Sequence, residues 1–292
     1  MKHIRHISRL AIIWVTWLGV GLLWGGNAEL DVAHKYYNCT KFEESLKVLD
    51  SIQDKDAAVF QLRGLNHYMR GDYKKAIEDL QTALKFEPKD SMTTLWLARA
   101  YGRRAESSSP FTAIGYASHA RENFERAEEL DPRNLEALSD LFEYYLDAPG
   151  FLGGGIDRAE QQVARIAAVD PSEAEWAQAK LAEKQKHNSA AEEHLRQAIK
   201  SAPRRIGLRL ELARFLARQG RFEESENAFA QADRVAPGSP KVLFARAEVY
   251  VKYSRNLEVA KQMLQHYLSL ALTPDDPSRA DAAKLLRQAE GG

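Results

Sequence analysis

The chain has 292 residues and carries 41 basic and 41 acidic side chains, so its formal net charge is zero. This balance gives no support to a nucleic-acid-binding protein, and we expect no nucleic-acid partner. The single cysteine, Cys39, excludes an intrachain disulfide framework and a thiolate metal site. We expect Cys39 to be a half-buried, unreactive thiol near the end of an amphipathic segment.

The first 28 residues differ in character from the rest of the chain. Three basic residues precede an uncharged, mostly apolar run over Leu10–Trp24, and Gly26 and Ala28 then form a small-x-small site of the kind that a signal peptidase accepts. The pattern predicts export through the inner membrane. Because the run is long for a signal core and just short of the roughly 17–25 residues of a spanning helix, two alternatives stay open. Residues 1–28 are either a signal peptide cleaved after Ala28 or a retained N-terminal membrane anchor.

Two later stretches carry the same residue types at the same spacing. In each, a small residue is followed nine positions later by an aromatic, then by a small, a large apolar and a small residue, and finally by a proline. The residues are Gly64, Tyr73, Ala76, Leu80, Ala83 and Pro88 in one stretch and Ala213, Phe222, Ser225, Phe229, Ala232 and Pro237 in the other. Small residues allow two helices to approach closely, and bulky residues fill the space between one helix pair and the next. The spacing predicts a helix–turn–helix unit of about 34 residues, and the chain resembles the tetratricopeptide repeat family.

This resemblance covers the chain from about residue 29 to its end. It implies an all-α fold, a right-handed α-solenoid of about seven repeats over 29–276, with a capping helix and tail over 277–292. The expected repeats are 29–56, 57–90, 91–134, 135–171, 172–205, 206–239 and 240–276. Two of them are stretched by insertions that we expect to be surface loops, at 102–112 and 147–155. Arrays of this kind usually act by presenting a surface.

The sequence predicts no catalytic, cofactor or metal site. The glycine run Gly153–Gly155 lacks the preceding strand and the spacing of a phosphate-binding loop, so we interpret it as a structural turn, with partner contact as the alternative. The eight histidines form no His-Glu-x-x-His pattern, which disfavours a zinc hydrolase. We therefore predict that the protein is not an enzyme.

A binding surface is expected in the concave groove, which the resemblance implies is lined by the first helix of each repeat. The candidate contact residues are Gln61, Tyr68, Arg99, Arg103, Trp176, Lys180, Leu210, Arg214, Arg218 and Phe244. Their mixture of aromatic and basic side chains suits an extended peptide. We expect Lys180, Arg214 and Arg218 to form a basic cluster suited to an acidic or carboxylate-bearing peptide. The alternative is that these charged side chains are only solvated and bind no partner. The Lys/Asn/Lys/Arg set by which the family's chaperone-binding members hold a carboxylate is absent, which disfavours a chaperone tail as the ligand.

The expected function is a non-catalytic scaffold or adaptor that mediates protein–protein interactions in the cell envelope, with a protein or peptide in its groove. The protein would be periplasmic, or anchored to the inner membrane with the array outside the cytoplasm. The alternative function is a small-ligand-binding or auxiliary subunit of an envelope enzyme or transport system.

Overall fold

The computed structural model describes residues 28–291, which form fifteen α-helices and one short 3-10 helix and contain no strand. The apolar run Leu10–Trp24 lies outside these residues. The α-helices are numbered in chain order. They are α1 (Ala28–Asn38), α2 (Phe42–Ser51), α3 (Ala57–Met69), α4 (Tyr73–Phe86), α5 (Ser91–Glu106), α6 (Pro110–Leu130), α7 (Leu135–Asp147), α8 (Ile156–Ala167), α9 (Pro171–Lys184), α10 (Asn188–Ser201), α11 (Ile206–Arg218), α12 (Phe222–Val235), α13 (Pro240–Lys252), α14 (Leu257–Ser269) and α15 (Arg279–Glu290).

Several helices begin after a residue whose side chain accepts a backbone N–H of the first turn. Asp56 accepts the backbone N–H of Val59 at 3.0 Å before α3, and Asp170 accepts the N–H groups of Ser172 at 2.8 Å and Glu173 at 3.1 Å before α9. These carboxylates satisfy N–H groups that have no partner inside the helix. The helix pairs therefore start at polar residues that separate one repeat from the next.

Each helix packs mainly against the helices before and after it in the chain, which makes the architecture an all-helical α-solenoid. The first helices of the pairs are the odd-numbered ones from α1 to α13, and the second helices are the even-numbered ones from α2 to α14. The last helix, α15, packs against α14 and α13 at the C-terminal end of the array.

The small residues of the repeat pattern and the bulky Leu80 and Phe229 lie in the core, whereas Tyr73 and Phe222 are half-buried. Ala76 and Leu80 have no exposed surface, and a Cβ placed on Gly64 would lie only 2.6 Å from Cγ of Leu80. In the later repeat, the small residue Ser225 is buried and its hydroxyl donates to the carbonyl of Ala213 at 2.8 Å. The two helices of a pair approach so closely at these positions that only a small side chain fits.

The first insertion differs from the expected loop over 102–112. Helix α5 continues to Glu106 and α6 starts at Pro110, so only Ser107–Ser109 separates them. The extra residues lengthen the two helices instead, because the segment is rich in helix-forming residues and Pro110 occupies the first turn, where its missing N–H costs nothing. Phe111, near the start of α6, is 92% exposed.

The second insertion is a compact turn that its glycines make possible. The 3-10 helix Gly150–Leu152 is followed by Gly153 and Gly155, which have φ values of 85° and 148°. A Cβ on Gly154 would lie 1.9 Å from the carbonyl oxygen of Ala148, so no other residue fits there without a backbone shift. The backbone conformation thus accounts for the glycine run.

Cys39 is exposed in the structure, whereas the sequence led us to expect a half-buried thiol. It lies in the short turn between α1 and α2, where the chain leaves the buried face of the helix pair.

Within residues 28–291, no helix combines the length and the apolar character that crossing a membrane requires.

A buried polar cluster joins the second repeat to the first. The Asp79 carboxylate lies 3.4 Å from Nε of Arg63 and 3.7 Å from Nε2 of His67, while Arg63 also lies 3.6 Å from Asp50. These contacts are too long to be good hydrogen bonds. Burial raises the pKa of Asp79 to about 6, and burial also lowers the pKa of His67, so the imidazole is neutral at pH 7 and does not compensate the carboxylate.

We expect Asp79→Asn to raise the free energy of unfolding at pH 8, by up to about 3 kcal/mol, the equivalent of a two-unit pKa shift. Because the folded-state pKa lies above the ordinary value of 3.8, the stability that the protonated carboxyl contributes is lost as the pH rises from about 4 through about 6. The variant should therefore differ little from the wild type at pH 4. Urea melts at both pH values measure this, with the exposed Asp54→Asn as the control. A variant less stable than the wild type at pH 8 would show that the contact with Arg63 outweighs burial.

Candidate functional site

The ten candidate contact residues all lie on first helices, but they differ in accessibility. Leu210 and Phe244 are only 4% and 6% exposed, so they belong to the core and have little surface for a ligand. Gln61 is half-buried and donates to Asp90 at 3.0 Å and to Thr93 at 2.7 Å, which ties α3 to the start of α5. The remaining seven are Tyr68, Arg99, Arg103, Trp176, Lys180, Arg214 and Arg218.

Aromatic rings contact one another on the first helices α3 and α5 and at the start of the second helix α4, where Tyr73 lies. The ring of Tyr68 contacts the rings of Tyr73 and Trp96 edge-on, with centroids 5.5 Å and 5.1 Å away. The guanidinium of Arg99 lies 4.6 Å from the centroid of Trp96, and that of Arg103 lies 5.6 Å from the centroid of Tyr73. We call Tyr68, Tyr73 and Trp96 the aromatic wall. Edge-to-face rings covered by guanidinium groups make a rigid surface with both apolar and polar character.

Acidic side chains of the next repeat hold the arginine of this wall in place. Nε of Arg99 donates to Asp140 at 2.6 Å, and its Nη2 donates to Glu136 at 2.9 Å. Burial raises the pKa of Asp140, and the positive charge of Arg99 opposes that effect. The cation of Arg99 is thus neutralised by α7, and one face of its guanidinium is covered by the Trp96 ring, so Arg99 orients the ring more than it attracts an anionic ligand.

The same arrangement continues along the groove toward the C-terminal end. Arg218 forms a bidentate ion pair with Glu183, in which Nε and Nη2 donate to the two carboxylate oxygens at 2.6 Å and 2.8 Å. Its Nη2 also donates to Glu211 at 2.9 Å. Lys180 lies 3.5 Å from the same Glu211. Burial alone would raise the pKa of Glu211, but the charges of Lys180 and Arg218 outweigh burial and lower it.

Two further contacts complete the set that we call the groove ion pairs. Arg214 donates to Glu248 at 3.0 Å, and Lys184 donates to Asp147 at 2.8 Å. The groove ion pairs are Arg99 with Glu136 and Asp140, Lys184 with Asp147, Lys180 with Glu211, Arg218 with Glu183 and Glu211, and Arg214 with Glu248. Each joins the first helix of one repeat to that of the next, apart from the contact between Arg218 and Glu211 within α11.

These pairs correct the expectation of a basic cluster. The structure does bring Lys180, Arg214 and Arg218 into one region of α9 and α11, but each of them faces a carboxylate. Their positive charge is therefore compensated inside the protein, and an acidic ligand would have to displace Glu183, Glu211 or Glu248. Lys180, Arg214 and Arg218 therefore give no uncompensated positive charge that would attract an acidic ligand.

Glu143 is an exposed acidic group of the groove that differs from Glu136 and Asp147 in having no basic partner among the described residues. It lies on α7, one turn after Asp140. Its side chain is exposed, and it forms no ion pair within the described chain. The surrounding concave wall withdraws water from it and raises its pKa, while the charge of Lys180 acts in the opposite direction. An exposed carboxylate held in a partly desolvated groove favours a cationic or hydrogen-bond-donating group of a ligand.

The contacts between histidines and carboxylates of the described residues are pairs and not larger clusters. Residues 28–291 contain no group of three or more His, Cys, Asp or Glu side chains that could hold a metal ion. His194 contacts Glu175 at 2.7 Å and His119 contacts Glu122 at 3.3 Å, both as ordinary surface pairs.

Two stretches of the chain match family models. Residues 57–90 and residues 182–249 each match a model described as tetratricopeptide repeat, and the first stretch has the same bounds as one predicted unit. No curated protein matches the sequence.

Solved structures share the fold at low sequence identity. A tetratricopeptide repeat protein from Parabacteroides merdae is 15% identical, with a TM-score of 0.57 over 90% of this chain and 98% of that chain. A thermophilic TPR protein of Thermus thermophilus is 20% identical, with a TM-score of 0.52 over 65% of this chain and 97% of that one. The human IFIT1 dimer with PPP-AAAA is 21% identical, with a TM-score of 0.55 over 83% of this chain and 54% of that one. At such identities the likeness concerns the fold alone.

Proposed function

Because the chain is a tetratricopeptide repeat protein, we propose that it is a non-catalytic scaffold that binds an extended peptide or a partner helix along the first helices of its repeats. Repeats of this family generally mediate protein–protein interaction, and their function is one of surface presentation. The observation that carries the proposal is the aromatic wall, a partly accessible surface formed by Tyr68 on α3, Trp96 on α5 and Tyr73 at the start of α4.

The partner that fits this surface combines two chemical features. An apolar or aromatic side chain packs against Tyr68 and Trp96, where contact area is available. A basic or hydrogen-bond-donating side chain faces Glu143, an exposed carboxylate on α7 that forms no ion pair within the described residues. The groove ion pairs hold neighbouring first helices at a fixed spacing, so the binding surface is formed before the partner binds.

Site-specific photo-crosslinking in the native cell tests this proposal. A photoreactive amino acid in place of Tyr68 or Glu143 should form adducts with a discrete partner, whereas the same group in place of Lys200, exposed on the second helix α10, should not. Glu143→Lys should reduce the adduct at position 68 by about tenfold, since it places a cation opposite the partner's cation. Equal adducts at all three positions would contradict a groove-specific partner. The exposed control Glu193→Lys should leave the adduct unchanged.

We further propose that the array works outside the cytoplasm, in the periplasm or tethered to the inner membrane by residues 1–28. The support is the basic flank, the apolar run Leu10–Trp24 and the small-x-small site that follows it. Fusing residues 1–35 to a reporter that is active only after export should give activity, and retention of the fusion in the cytoplasm would exclude the proposal. Mass spectrometry of the native N-terminus then separates a protein that starts at Glu29 from one that retains its anchor.

A further inference from the structure

The two ends of the array meet around a cavity of about 270 Å³. One wall comes from the first two repeats and includes Thr40, Phe42 and Met69. The other wall comes from the segment between α14 and α15 and the start of α15, from Leu272 to Ala280. Residues separated in sequence by almost the whole array therefore face one another across a small space.

An electrostatic effect at a residue outside the cavity wall reflects the same proximity of the two segments. The hydroxyl of Tyr37, on α1, has a pKa raised to about 12, first by burial and next by the negative charge of Asp275. Asp275 belongs to the segment between α14 and α15. Its charge reaches Tyr37 only because the C-terminal segment lies beside the first repeat.

The C-terminal wall is held rigidly by its own contacts. Thr273 donates both its backbone N–H and its hydroxyl to Asp276 at 2.9 Å, and Tyr267 donates its hydroxyl to the carbonyl of Pro277. Arg279 donates to the carbonyl of Leu270 at 2.6 Å, at the end of α14. Two prolines in the segment restrict its backbone further. The wall is therefore formed before any ligand enters.

The polar groups of the cavity wall are largely satisfied by the protein itself. Thr273 and Asp276 bond to each other, Ser278 donates to Asp281 at 2.7 Å, and Arg70 lies 3.3 Å from Glu43. What the wall offers to a ligand is apolar surface from the half-buried side chains of Phe42, Met69, Pro274 and Pro277, with the buried Leu272 behind them. The volume lies just below the roughly 300–1,000 Å³ of pockets that hold drug-sized molecules, so the cavity suits a compact group.

We propose that this cavity is a binding site for a compact apolar group of aromatic or branched aliphatic character, seated between the first repeat and the Leu272–Ala280 segment. Either a small molecule or one side chain of a bound peptide can supply such a group. The site is separate from the aromatic wall and goes beyond the scaffold function proposed above.

Titration with indole and with an acetylated, amidated Gly-Gly-Trp-Gly-Gly peptide tests the site and distinguishes the two sources. Ala280 is exposed at the start of α15 and lines the cavity, so Ala280→Trp should fill the space without disturbing the core. Indole should bind the wild type and the matched control Ala164→Trp, on the exposed face of α8, at least tenfold more tightly than Ala280→Trp. Binding of the peptide with the same dependence on position 280 supports a side chain as the natural occupant, and binding of indole alone supports a small molecule. Binding of neither probe to the wild type, or equal binding to wild type and Ala280→Trp, would overturn the proposal.

A second measurement tests the meeting of the two ends without any ligand. The native thiol of Cys39 is exposed beside Thr40, so Thr273→Cys should form an intramolecular link with it through a short bismaleimide. Ser189→Cys, on α10 in the middle of the array, should not form that link. Failure of the Thr273→Cys variant to link would remove the cavity on which the site depends.

Discussion

Replacing Gly64 by leucine is expected to lower the free energy of unfolding by about 3 kcal/mol, the upper end of the usual range for overpacking. Even a Cβ at this position would lie 2.6 Å from Cγ and 2.9 Å from Cδ2 of Leu80, and 3.3 Å from the carbonyl oxygen of Ala76. Both of those residues have no exposed surface, so neither can move without opening the core of the repeat. Urea melts followed by circular dichroism measure the effect.

The helical Gly207 provides a matched control for that substitution. A Cβ on Gly207 would meet no atom within 4 Å, so Gly207→Leu adds the same side chain without a clash. Leucine is a better helix former than glycine, and we expect this variant to equal or exceed the stability of the wild type. If the two variants melt alike, the close approach of α3 and α4 at Gly64 is not what limits the side chain there.

Reversing the charge of Arg218 is expected to cost roughly 2–4 kcal/mol of stability, near the cost of breaking a buried ion pair. The change removes three hydrogen bonds, to Glu183 and Glu211, and places a third carboxylate beside those two. The side chain of Arg218 is 29% exposed and that of Glu211 is 15% exposed, so water screens the repulsion only in part. Chemical denaturation of Arg218→Glu measures the loss.

Two comparisons separate this effect from a general effect of charge. Arg204 is exposed and forms no ion pair in the described chain, so Arg204→Glu should change stability by less than about 0.5 kcal/mol. Combining Arg218→Glu with Glu183→Arg restores one pair with its polarity exchanged and should recover part of the loss. A double variant no more stable than Arg218→Glu alone would show that the loss does not come from this pair.

The fold could be predicted because its determinants are local and recur. The small residues at Gly64 and Ala76 and the bulky residue at Leu80 specify one helix pair, and the same types at Ala213, Ser225 and Phe229 specify another. The extent of α5 and α6 could not be predicted in this way, because Ser107–Ser109 and Pro110 have the composition of a longer loop. Only the structure shows that the flanking residues extend the two helices.

The site was predicted in part, since position in the repeat indicates which helix a residue belongs to but not what it contacts. Arg99 and Lys180 lie on first helices as expected, yet the predicted basic character ignored the acids of the neighbouring repeats. A usable signal was present: opposite charges recur about one repeat apart, at separations of 31 residues for Lys180 with Glu211, 34 for Arg214 with Glu248 and 41 for Arg99 with Asp140. The C-terminal cavity had no such signal, because it depends on the curvature accumulated over all the repeats.

The groove ion pairs also bear on the elasticity of the array. Within the described residues they connect neighbouring first helices and outnumber the pairs that join second helices, such as Arg165 with Glu128 and Arg221 with Glu192. The stiffness of the first-helix side therefore depends on electrostatic attraction. Dissolved ions weaken attraction between partly exposed charges, with a screening length of about 8 Å at physiological ionic strength and about 3 Å at 1 M. The solenoid should thus open as salt is added and tighten as it is removed, which small-angle X-ray scattering would register as a change in radius of gyration. Ionic strength would then set the width of the groove.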